Sequence, residues 1–240
     1  MTRSAGSTGN TKATIRVSVR ELREGTKRAL MARGVSPGEA ALAAELAACA
    51  EVIYGAGLHM VERALEWNGL YRAPIDIRSG SPDLVDDPER RPILVILASV
   101  GTYVTSMQAH ESRPLFLPNA HLHPFAVPYL VIHWGSVRLP LGIAGRNTES
   151  GEEEALEVVG GRLRSAEVPA IIDGYDLVGE GIYLYQPSSA PSESELPRVV
   201  RELQALVDAK MEHSARQGVV VDGRSFDLLC KASTKIFVEE

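Results

Sequence analysis

Residues 36–63 read SPGEAALAAELAACAEVIYGAGLHMVER, and they predict the arrangement of helices in the first third of the chain. Ser36 and Glu39 have the spacing of a capping box, in which each side chain binds the backbone N–H of the other residue. Pro37 stands at the first helical position, where its missing N–H removes no hydrogen bond. The alanines that follow predict a helix that runs to about Tyr54 and allows neighbouring helices to approach closely.

Two further helices are expected beside this one. Ser18 and Glu21 form another capping-box pair, which predicts an earlier helix that ends at Gly34. The glycines of the segment 55–57 then interrupt the chain, and a third helix is expected over 59–68. The chain therefore opens with three consecutive helices.

The rest of the sequence predicts an α/β fold, with a central mixed sheet flanked by N-terminal and C-terminal helices. The β-branched run Ile93–Leu97 is typical of a buried central strand. A long loop is expected over 71–91 and a short helix within 148–165, and the chain closes with a helix from Leu196 to Gly218 and another that Asp222 caps. Strands are expected at 92–99, 114–118, 126–134, 168–172, 181–186 and 219–221.

Composition indicates a tail followed by one domain. Residues 1–13 are small and polar, without the apolar segment of a signal peptide, and are expected to be disordered. Residues 14–240 are expected to form a single α/β domain. That domain is predicted to be helical over 14–70, sheet-rich over 92–186 and helical again over 192–240.

The charge and the hydrophobic content exclude several classes of function. A net charge of −6 argues against binding to nucleic acid or to an anionic membrane surface, because both require clustered Lys and Arg. The longest apolar run is too short to span a bilayer, which requires about 20 apolar residues. We therefore expect a soluble cytoplasmic protein. Cys49 and Cys230 lie in apolar helical patterns and are expected to be buried.

His59 and Arg63 are the pair most typical of a reactive site. They are four residues apart, so that on a helix their side chains share one face. A reductase of 2-oxo or 2-imino acids needs such a pair. The guanidinium binds the substrate carboxylate through two parallel hydrogen bonds, and the imidazole gives a proton to oxygen or nitrogen as hydride reaches carbon. The glycine break is expected to leave backbone groups near the helix start open to a ligand.

Residues at both ends and in the middle of the chain together resemble one enzyme family. At the N-terminal end they are Val19, Leu22, Leu30, Arg33-Gly34-Val35-Ser36, Ala40, Ala44, Gly55, His59 and Arg63. Further on they are Asn119-Ala120-His121-Leu122-His123, Leu141-Gly142-Ile143-Ala144 with Asn147, and Gln217-Gly218-Val219-Val220-Val221-Asp222. This pattern resembles the type-2 malate/L-lactate dehydrogenases, which include ureidoglycolate dehydrogenases, diketogulonate reductases and cyclic-imine reductases.

The resemblance implies a non-Rossmann, NADPH- or NADH-dependent reductase that forms a homodimer. His59 falls on the family's catalytic histidine and Arg63 on its substrate-carboxylate arginine. The other site residues that the resemblance implies are Asn119, His121 and His123 for the substrate and Asn147 for the cofactor. In agreement with a non-Rossmann fold, no strand is followed by the glycine-rich turn and helix of a dinucleotide fingerprint.

Two departures from the family pattern leave other functions open. Leu58 and Met60 stand where the family has Ser and Gly, and much of the family's nucleotide site has no counterpart after Asn147. One alternative is an acid/base enzyme without a nucleotide, acting as a lyase, tautomerase or cyclase. The other is a non-catalytic binding or partner subunit.

Four histidines form a second candidate cluster: His110, His121, His123 and His133. Alternate histidines on a strand point the same way, as in some zinc sites. No carboxylate or thiol stands at ligand spacing beside them, so no metal is predicted. Positioning of substrate and structural packing both stay open as their role.

Overall fold

Seven helices and nine strands occur in the residues that the structure, a computed structural model, describes. Those residues are 13–68, 75–80, 82–87, 90–107, 113–118, 120, 122, 124–146, 151, 153–166, 181–187 and 198–234. The helices are α1 (Val19–Ala32), α2 (Pro37–Tyr54), α3 (Gly57–Glu66), α4 (Ile93–Met107), α5 (Ala126–Val137), α6 (Arg198–Gln217) and α7 (Gly223–Ser233). The strands are β1 (Thr14–Val17), β2 (Asp76–Arg78), β3 (Asp83–Asp86), β4 (Leu115–Pro118), β5 (Leu141–Arg146), β6 (Glu153–Val159), β7 (Arg162–Ala166), β8 (Gly181–Tyr185) and β9 (Val219–Asp222).

The first two helices begin at the serines that the sequence predicts. At α1 the capping box is complete: the Ser18 N–H donates to Glu21 Oε2 at 2.7 Å, and the Glu21 N–H donates to Ser18 Oγ at 3.1 Å. At α2 only half of it forms, with the Glu39 N–H donating to Ser36 Oγ at 3.3 Å. The Glu39 carboxylate instead accepts a 2.6 Å hydrogen bond from Ser99 of α4. The prediction of a second capping box is therefore wrong in part, because the Glu39 side chain binds Ser99 of α4 and so links two helices.

Helix α2 lies in the core and is buried along most of its length. Most of its buried residues are the alanines noted in the sequence. Cys49 on this helix is buried as expected, and burial raises the pKa of its thiol to about 12. Cys230 on α7 is exposed, so the expectation of burial is wrong there. The reason is that α7 is amphipathic and its buried position is Leu229, one residue earlier.

A seven-stranded mixed sheet carries the order β2-β3-β4-β8-β5-β6-β7, in which only the β3–β4 pair is parallel. The register separates its two faces. Leu115, Leu184 and Ile143 are cross-strand partners that face the main core with the helices, whereas Phe116, Tyr183 and Ala144 share the opposite face. The predicted central mixed sheet with flanking helices is thus confirmed.

The two ends of the described chain meet in a separate two-stranded sheet. Strand β1 pairs antiparallel with β9, with Thr14 opposite Asp222 and Val17 opposite Val219. Asp222 then caps α7 by accepting the Ser225 N–H at 2.9 Å, as the sequence predicts. Residues 1–12 of the expected tail lie outside the described residues, as does the expected strand at 168–172.

The apolar run 93–107 forms a helix, so the predicted central strand at 92–99 is wrong. Its side chains are buried on several faces, and periodicity does not distinguish a helix from a strand in such a run. The decisive features are its length and Pro92, whose carbonyl accepts the Val95 and Ile96 N–H groups and starts the helix. In the described part of the chain, no helix has the length and apolar character needed to cross a membrane.

Three other predictions in the middle of the chain are also wrong. The segment 126–134 belongs to helix α5, because Pro128 lies in the first helical turn, where it breaks no hydrogen bond. The acidic stretch within 148–165 contains the hairpin β6–β7 instead of a helix. Gly160 and Gly161 both have positive φ, as a tight hairpin turn requires. The expected loop at 71–91 contains the strands β2 and β3. The strands predicted at 114–118, 181–186 and 219–221 are confirmed.

Candidate active site

The corner between α2 and α3 places the predicted pair. Gly55 ends α2 in the left-handed conformation, with φ of 68°. Gly57 then starts α3 so close to α2 that a Cβ there would lie 1.9 Å from the carbonyl oxygen of Ala47. Glycine is therefore needed at 57 for a close approach of two backbones, and this approach fixes the direction in which α3 leaves the corner.

A buried carboxylate binds the backbone at this corner. Glu51, which is 6% exposed, accepts the Leu58 N–H at Oε2 with a distance of 2.8 Å and also accepts the backbone N–H of Gly57. Burial raises the pKa of this carboxyl, although both hydrogen bonds act in the opposite direction. The expectation that the start of α3 is open to a ligand is therefore wrong for the N–H groups of Gly57 and Leu58, which Glu51 already binds.

Glu51 was not singled out from the sequence. The available signal was its position in the last turn of α2, where the helix dipole disfavours a negative charge. A carboxylate at such a place indicates a partner outside its own helix. Here that partner is the positive N-terminal end of α3, which carries His59 and Arg63.

His59 and Arg63 lie one turn apart on α3, are both exposed and line the same cavity. The imidazole has a carboxylate neighbour that the sequence analysis also missed: His59 Nδ1 lies 3.7 Å from Glu62 Oε2. Glu62 stands three residues after His59, a spacing at which helical side chains meet. The pair therefore faces one space, and one nitrogen of the imidazole is turned toward an acid.

The cavity beside α3 has a volume of about 630 Å³. Its walls come from α3, from the residues between β3 and α4, from the end of β4 and from the segment before α5. The charged and titratable residues that line it are His59, Arg63, Glu66, Asp87, Arg90 and Arg91. The apolar residues that line it include Met60, Trp67, Val85, Ile93, Leu94, Ile96, Leu117 and Phe125.

A buried ion pair forms the part of the cavity wall that lies between β3 and α4. Arg91 Nε donates to Asp87 Oδ1 at 2.8 Å, and the Arg91 backbone N–H donates to Asp87 Oδ2 at 2.5 Å. Their side chains are 3% and 5% exposed. Arg90, between them in the turn, has φ of 50° and is exposed. None of these three residues was singled out from the sequence.

The other predicted site residues lie outside the described residues: Asn119, His121, His123 and Asn147, together with His110 of the histidine cluster. The fourth histidine, His133, is buried in α5. Burial lowers the pKa of its imidazole, and a hydrogen bond with the backbone of Leu139 opposes this shift in part. Its environment is that of a structural residue. Within the described ranges, no three His, Cys, Asp or Glu side chains are grouped so that they could hold a metal ion.

Comparison with known proteins finds relatives by structure only. No family model matches the sequence, and no curated protein matches it. Among solved structures, a dehydrogenase from Sinorhizobium meliloti aligns with a TM-score of 0.61 and 13% identity, covering 92% of this chain and 100% of the other. Malate dehydrogenase from Pyrococcus horikoshii OT3 aligns with a TM-score of 0.62 and 12% identity, covering 94% and 97%.

A third similar structure is Δ1-piperideine-2-carboxylate reductase from Pseudomonas syringae pvar. tomato, with a TM-score of 0.54, 12% identity and coverage of 91% and 99%. The class that these comparisons define is a mixed α/β fold found in dehydrogenases and a reductase. More particularly, the chain has the fold of the type-2 malate/L-lactate dehydrogenases. The resemblance inferred from the sequence is confirmed at the level of the fold.

Proposed function

We propose that the protein is an NADPH- or NADH-dependent reductase of a small 2-oxo or cyclic 2-imino carboxylate. The observation that carries this proposal is that His59 and Arg63 lie one helical turn apart and line one cavity. A fold shared with dehydrogenases and an imine reductase supports an oxidoreductase. Binding of the substrate carboxylate and transfer of the proton can each be assigned to a side chain at this cavity.

Arg63 binds the substrate carboxylate in this proposal. A guanidinium offers two parallel N–H donors that match the two oxygens of a carboxylate, which fixes both the position and the plane of the acid. Among the described residues Arg63 has no ion-pair partner, so its charge is available to a ligand. The C2 atom of the bound acid then lies near the neighbouring turn of α3.

His59 supplies the proton. With Nδ1 turned toward the Glu62 carboxylate at 3.7 Å, the second ring nitrogen, Nε2, is left to face a ligand. As C2 of the substrate accepts hydride, the C=O or C=N bond becomes a single bond, and its oxygen or nitrogen takes the proton from Nε2. Glu62 steadies the protonated ring until that transfer.

The size and the apolar lining of the cavity support a nicotinamide ring beside the acid in this proposal. Its volume of about 630 Å³ lies within the range of roughly 300–1,000 Å³ that holds drug-sized ligands. This volume is larger than a small acid alone would occupy. Trp67, Leu117 and Phe125 provide an apolar surface against which a flat ring can pack. The nucleotide, when bound, supplies the hydride. Asn147 for the cofactor, and Asn119, His121 and His123 for the substrate, belong to this proposal, as does a cytoplasmic homodimer.

The departures at 58 and 60 do not favour a non-catalytic subunit. Leu58 and Met60 are 4% and 5% exposed, so both side chains are buried between α3 and the core. Leu58 is also held by its N–H bond to Glu51. Both side chains therefore pack against the core, and Met60 also forms part of the apolar wall of the cavity, while His59 and Arg63 stay exposed on α3.

The test of this function is steady-state kinetics with a panel of 2-oxo and cyclic 2-imino acids, followed by the loss of NADPH or NADH absorbance. We expect turnover with at least one acid. His59→Asn should lower kcat by about 10²- to 10⁴-fold, the usual contribution of a general acid. Arg63→Ala should raise KM by about tenfold or more, because it removes a charge-assisted contact with the substrate.

His213→Asn is the matched control, because His213 is an exposed histidine on α6 and does not line the cavity. It should leave kcat and KM unchanged. Nucleotide binding is measured separately by quenching of Trp67 fluorescence in a Trp134→Phe background, since only Trp67 lines the cavity. Flat titrations with both nucleotides would favour the acid/base enzyme without a nucleotide. Equal kinetics for wild type and His59→Asn would contradict the assigned role.

A further inference from the structure

We infer that Met60 is a specificity residue and that the chain beyond C2 of the preferred substrate is apolar, as in a branched aliphatic 2-oxo acid. This inference rests on the proposed function, because it uses the acid that Arg63 holds and the proton that His59 supplies. It assigns the class of substrate, which the pair on α3 leaves open.

The cavity-lining side chains follow one another around α3 in a definite order. Because an α-helix turns by about 100° per residue, Arg63 stands about 40° around the helix from His59, and Met60 stands about 60° beyond Arg63. Trp67, one turn after Arg63, lies on the same side of Arg63 as Met60. Arg63 therefore lies between His59 on one side and the apolar residues Met60 and Trp67 on the other.

The shape of a 2-oxo acid then determines the direction of its chain. C2 is trigonal, so the carboxylate, the keto oxygen and the chain leave it in three directions within one plane. With the carboxylate on Arg63 and the keto oxygen at His59, the chain points away from His59, on the side of Met60. Hydride reaches C2 from above or below this plane, so the nicotinamide ring and the chain occupy different parts of the cavity.

Exposure to water changes across α3 in the same order. The His59 side chain is 74% exposed, Arg63 is exposed, and Met60 is 5% exposed and belongs to the main core. The side of Arg63 that carries Met60 therefore faces the interior of the protein. A charged group at the end of the chain would lose its water there, which is unfavourable, whereas an apolar chain is stabilised by leaving water.

The apolar lining continues from Met60 over three other elements. Leu94 and Ile96 of α4, Leu117 of β4 and Phe125 before α5 are all buried residues that line the cavity. They belong with Met60 to one core cluster, so the apolar surface is continuous. Each methylene that a substrate buries against such a surface strengthens binding by about fourfold.

The described acids that line the cavity lie away from this surface. Glu66 stands about 20° around α3 from His59, on the side opposite to Met60. Asp87 is bound to Arg91 in the wall between β3 and α4. The cavity thus has a polar side, on which the reaction takes place, and an apolar side for the rest of the substrate.

The alternative use of Met60 is contact with the nicotinamide ring alone. We favour the substrate chain because Met60 lies on the same helix as the pair that orients the acid, on the side to which the chain points. The two uses predict different effects of a polar substitution. Contact with the chain changes the choice between acids, whereas contact with the ring changes nucleotide binding and leaves that choice unaltered.

The test compares 5-methyl-2-oxohexanoate with 2-oxoglutarate, which have the same shape and differ by an isopropyl group in place of a carboxylate. A third acid, 2-oxopropanoate, reports the reaction without a long chain. The ratio kcat/KM is measured for wild type, Met60→Gln and Met60→Leu. Glutamine has nearly the length of methionine but carries a polar amide. Met211→Gln is the matched control, because Met211 of α6 also packs against the core and is not part of the cavity lining.

We expect wild type to have a kcat/KM for 5-methyl-2-oxohexanoate at least about tenfold above that for 2-oxoglutarate, as hydrophobic pockets achieve. Met60→Gln should reduce this preference by about tenfold and leave turnover of 2-oxopropanoate unchanged. Met60→Leu and Met211→Gln should both keep the preference. Urea unfolding of each variant confirms that it is folded, and if Met60→Gln does not fold, the preference of wild type decides.

The inference is overturned if wild type prefers 2-oxoglutarate or turns over the two long acids equally, and either result leaves the proposed function standing. It is also overturned if folded Met60→Gln lowers turnover of all three acids equally, or if it weakens quenching of Trp67 by the nucleotide while the preference stays the same. Turnover of no 2-oxo or cyclic 2-imino acid would overturn both the inference and the proposed function.

Discussion

Two corners of the chain hold the cationic side chains of the cavity, and each does so with a buried carboxylate. At the α2–α3 corner, Glu51 accepts the N–H groups of Gly57 and Leu58. At the β3–α4 corner, the Asp87 carboxylate accepts hydrogen bonds from both the backbone N–H and the guanidinium of Arg91. The first carboxylate is balanced by backbone dipoles and the second by a full positive charge.

This difference determines how each corner responds to change. A buried full charge that loses its acid partner is strongly unfavourable, because the attraction to that acid no longer offsets the cost of taking the charge out of water. Backbone N–H groups at a helix start carry only partial charge, so their loss of a carboxylate has a smaller effect. The β3–α4 corner should therefore be sensitive to removal of one residue, and the α2–α3 corner should be sensitive to pH.

The largest effect is expected from Asp87→Ala, which removes the carboxylate that binds the buried Arg91 guanidinium. The free energy of unfolding should fall by about 3–5 kcal/mol, the usual result of breaking a buried pair. Urea unfolding followed by circular dichroism measures it. Asp227→Ala is the matched control, because Asp227 and Lys231 form an ion pair with the same spacing at 62% and 75% exposure.

The control should change the unfolding free energy by about 0.5 kcal/mol or less, as exposed helix pairs do. If Asp87→Ala is as stable as Asp227→Ala, the Asp87–Arg91 pair does not support the wall of the cavity. The turn that presents Arg90 would then need another explanation.

A smaller effect, visible in its pH dependence, is expected from Glu51→Gln. Burial raises the pKa of the Glu51 carboxyl above its ordinary value of 4.5, so the folded state binds this proton more tightly than the unfolded state. The stability of wild type relative to Glu51→Gln should therefore fall as pH rises from about 4.5 through the raised pKa, and should then level off. Urea unfolding of both proteins at a series of pH values measures this slope.

Glu21 gives the opposite case within the same molecule. Hydrogen bonds from Ser18 lower the pKa of the Glu21 carboxyl, so its contribution to stability should be present above 4.5 and be lost as pH falls through the lowered pKa. Glu21→Gln should consequently show a slope of opposite sign, below the pH range where Glu51 acts. Slopes of the same sign for both variants would contradict the assigned environment of Glu51.

The sequence was sufficient where a local pattern has one meaning. Ser18, Ser36 and Asp222 cap helices at the predicted positions, and Gly55 ends α2, because caps depend on a few adjacent residues. That His59 and Arg63 share one face of α3 also follows from helical spacing alone. None of these local rules depends on a tertiary contact.

Elsewhere the outcome depended on contacts that are distant in sequence. Helices α4 and α5 are buried on several faces by elements that are distant in the chain, so their apolar periodicity does not distinguish a helix from a strand. Glu51 and Arg90 were missed for the same reason: one acts on the next helix, and the other lines a cavity that only the fold assembles. The Gly160-Gly161 turn is different, since this glycine pair is a local signal in the sequence and favours a hairpin over the helix expected there.

The central claim is that His59 and Arg63 together hold a small 2-oxo acid. A crystal structure of the protein with 2-oxopentanoate bound is its most direct measurement. We predict the carboxylate on the guanidinium of Arg63 and the keto oxygen within about 3 Å of a ring nitrogen of His59, the reach of a general acid. An acid bound elsewhere, or bound in the cavity with both side chains turned away from it, would contradict the account.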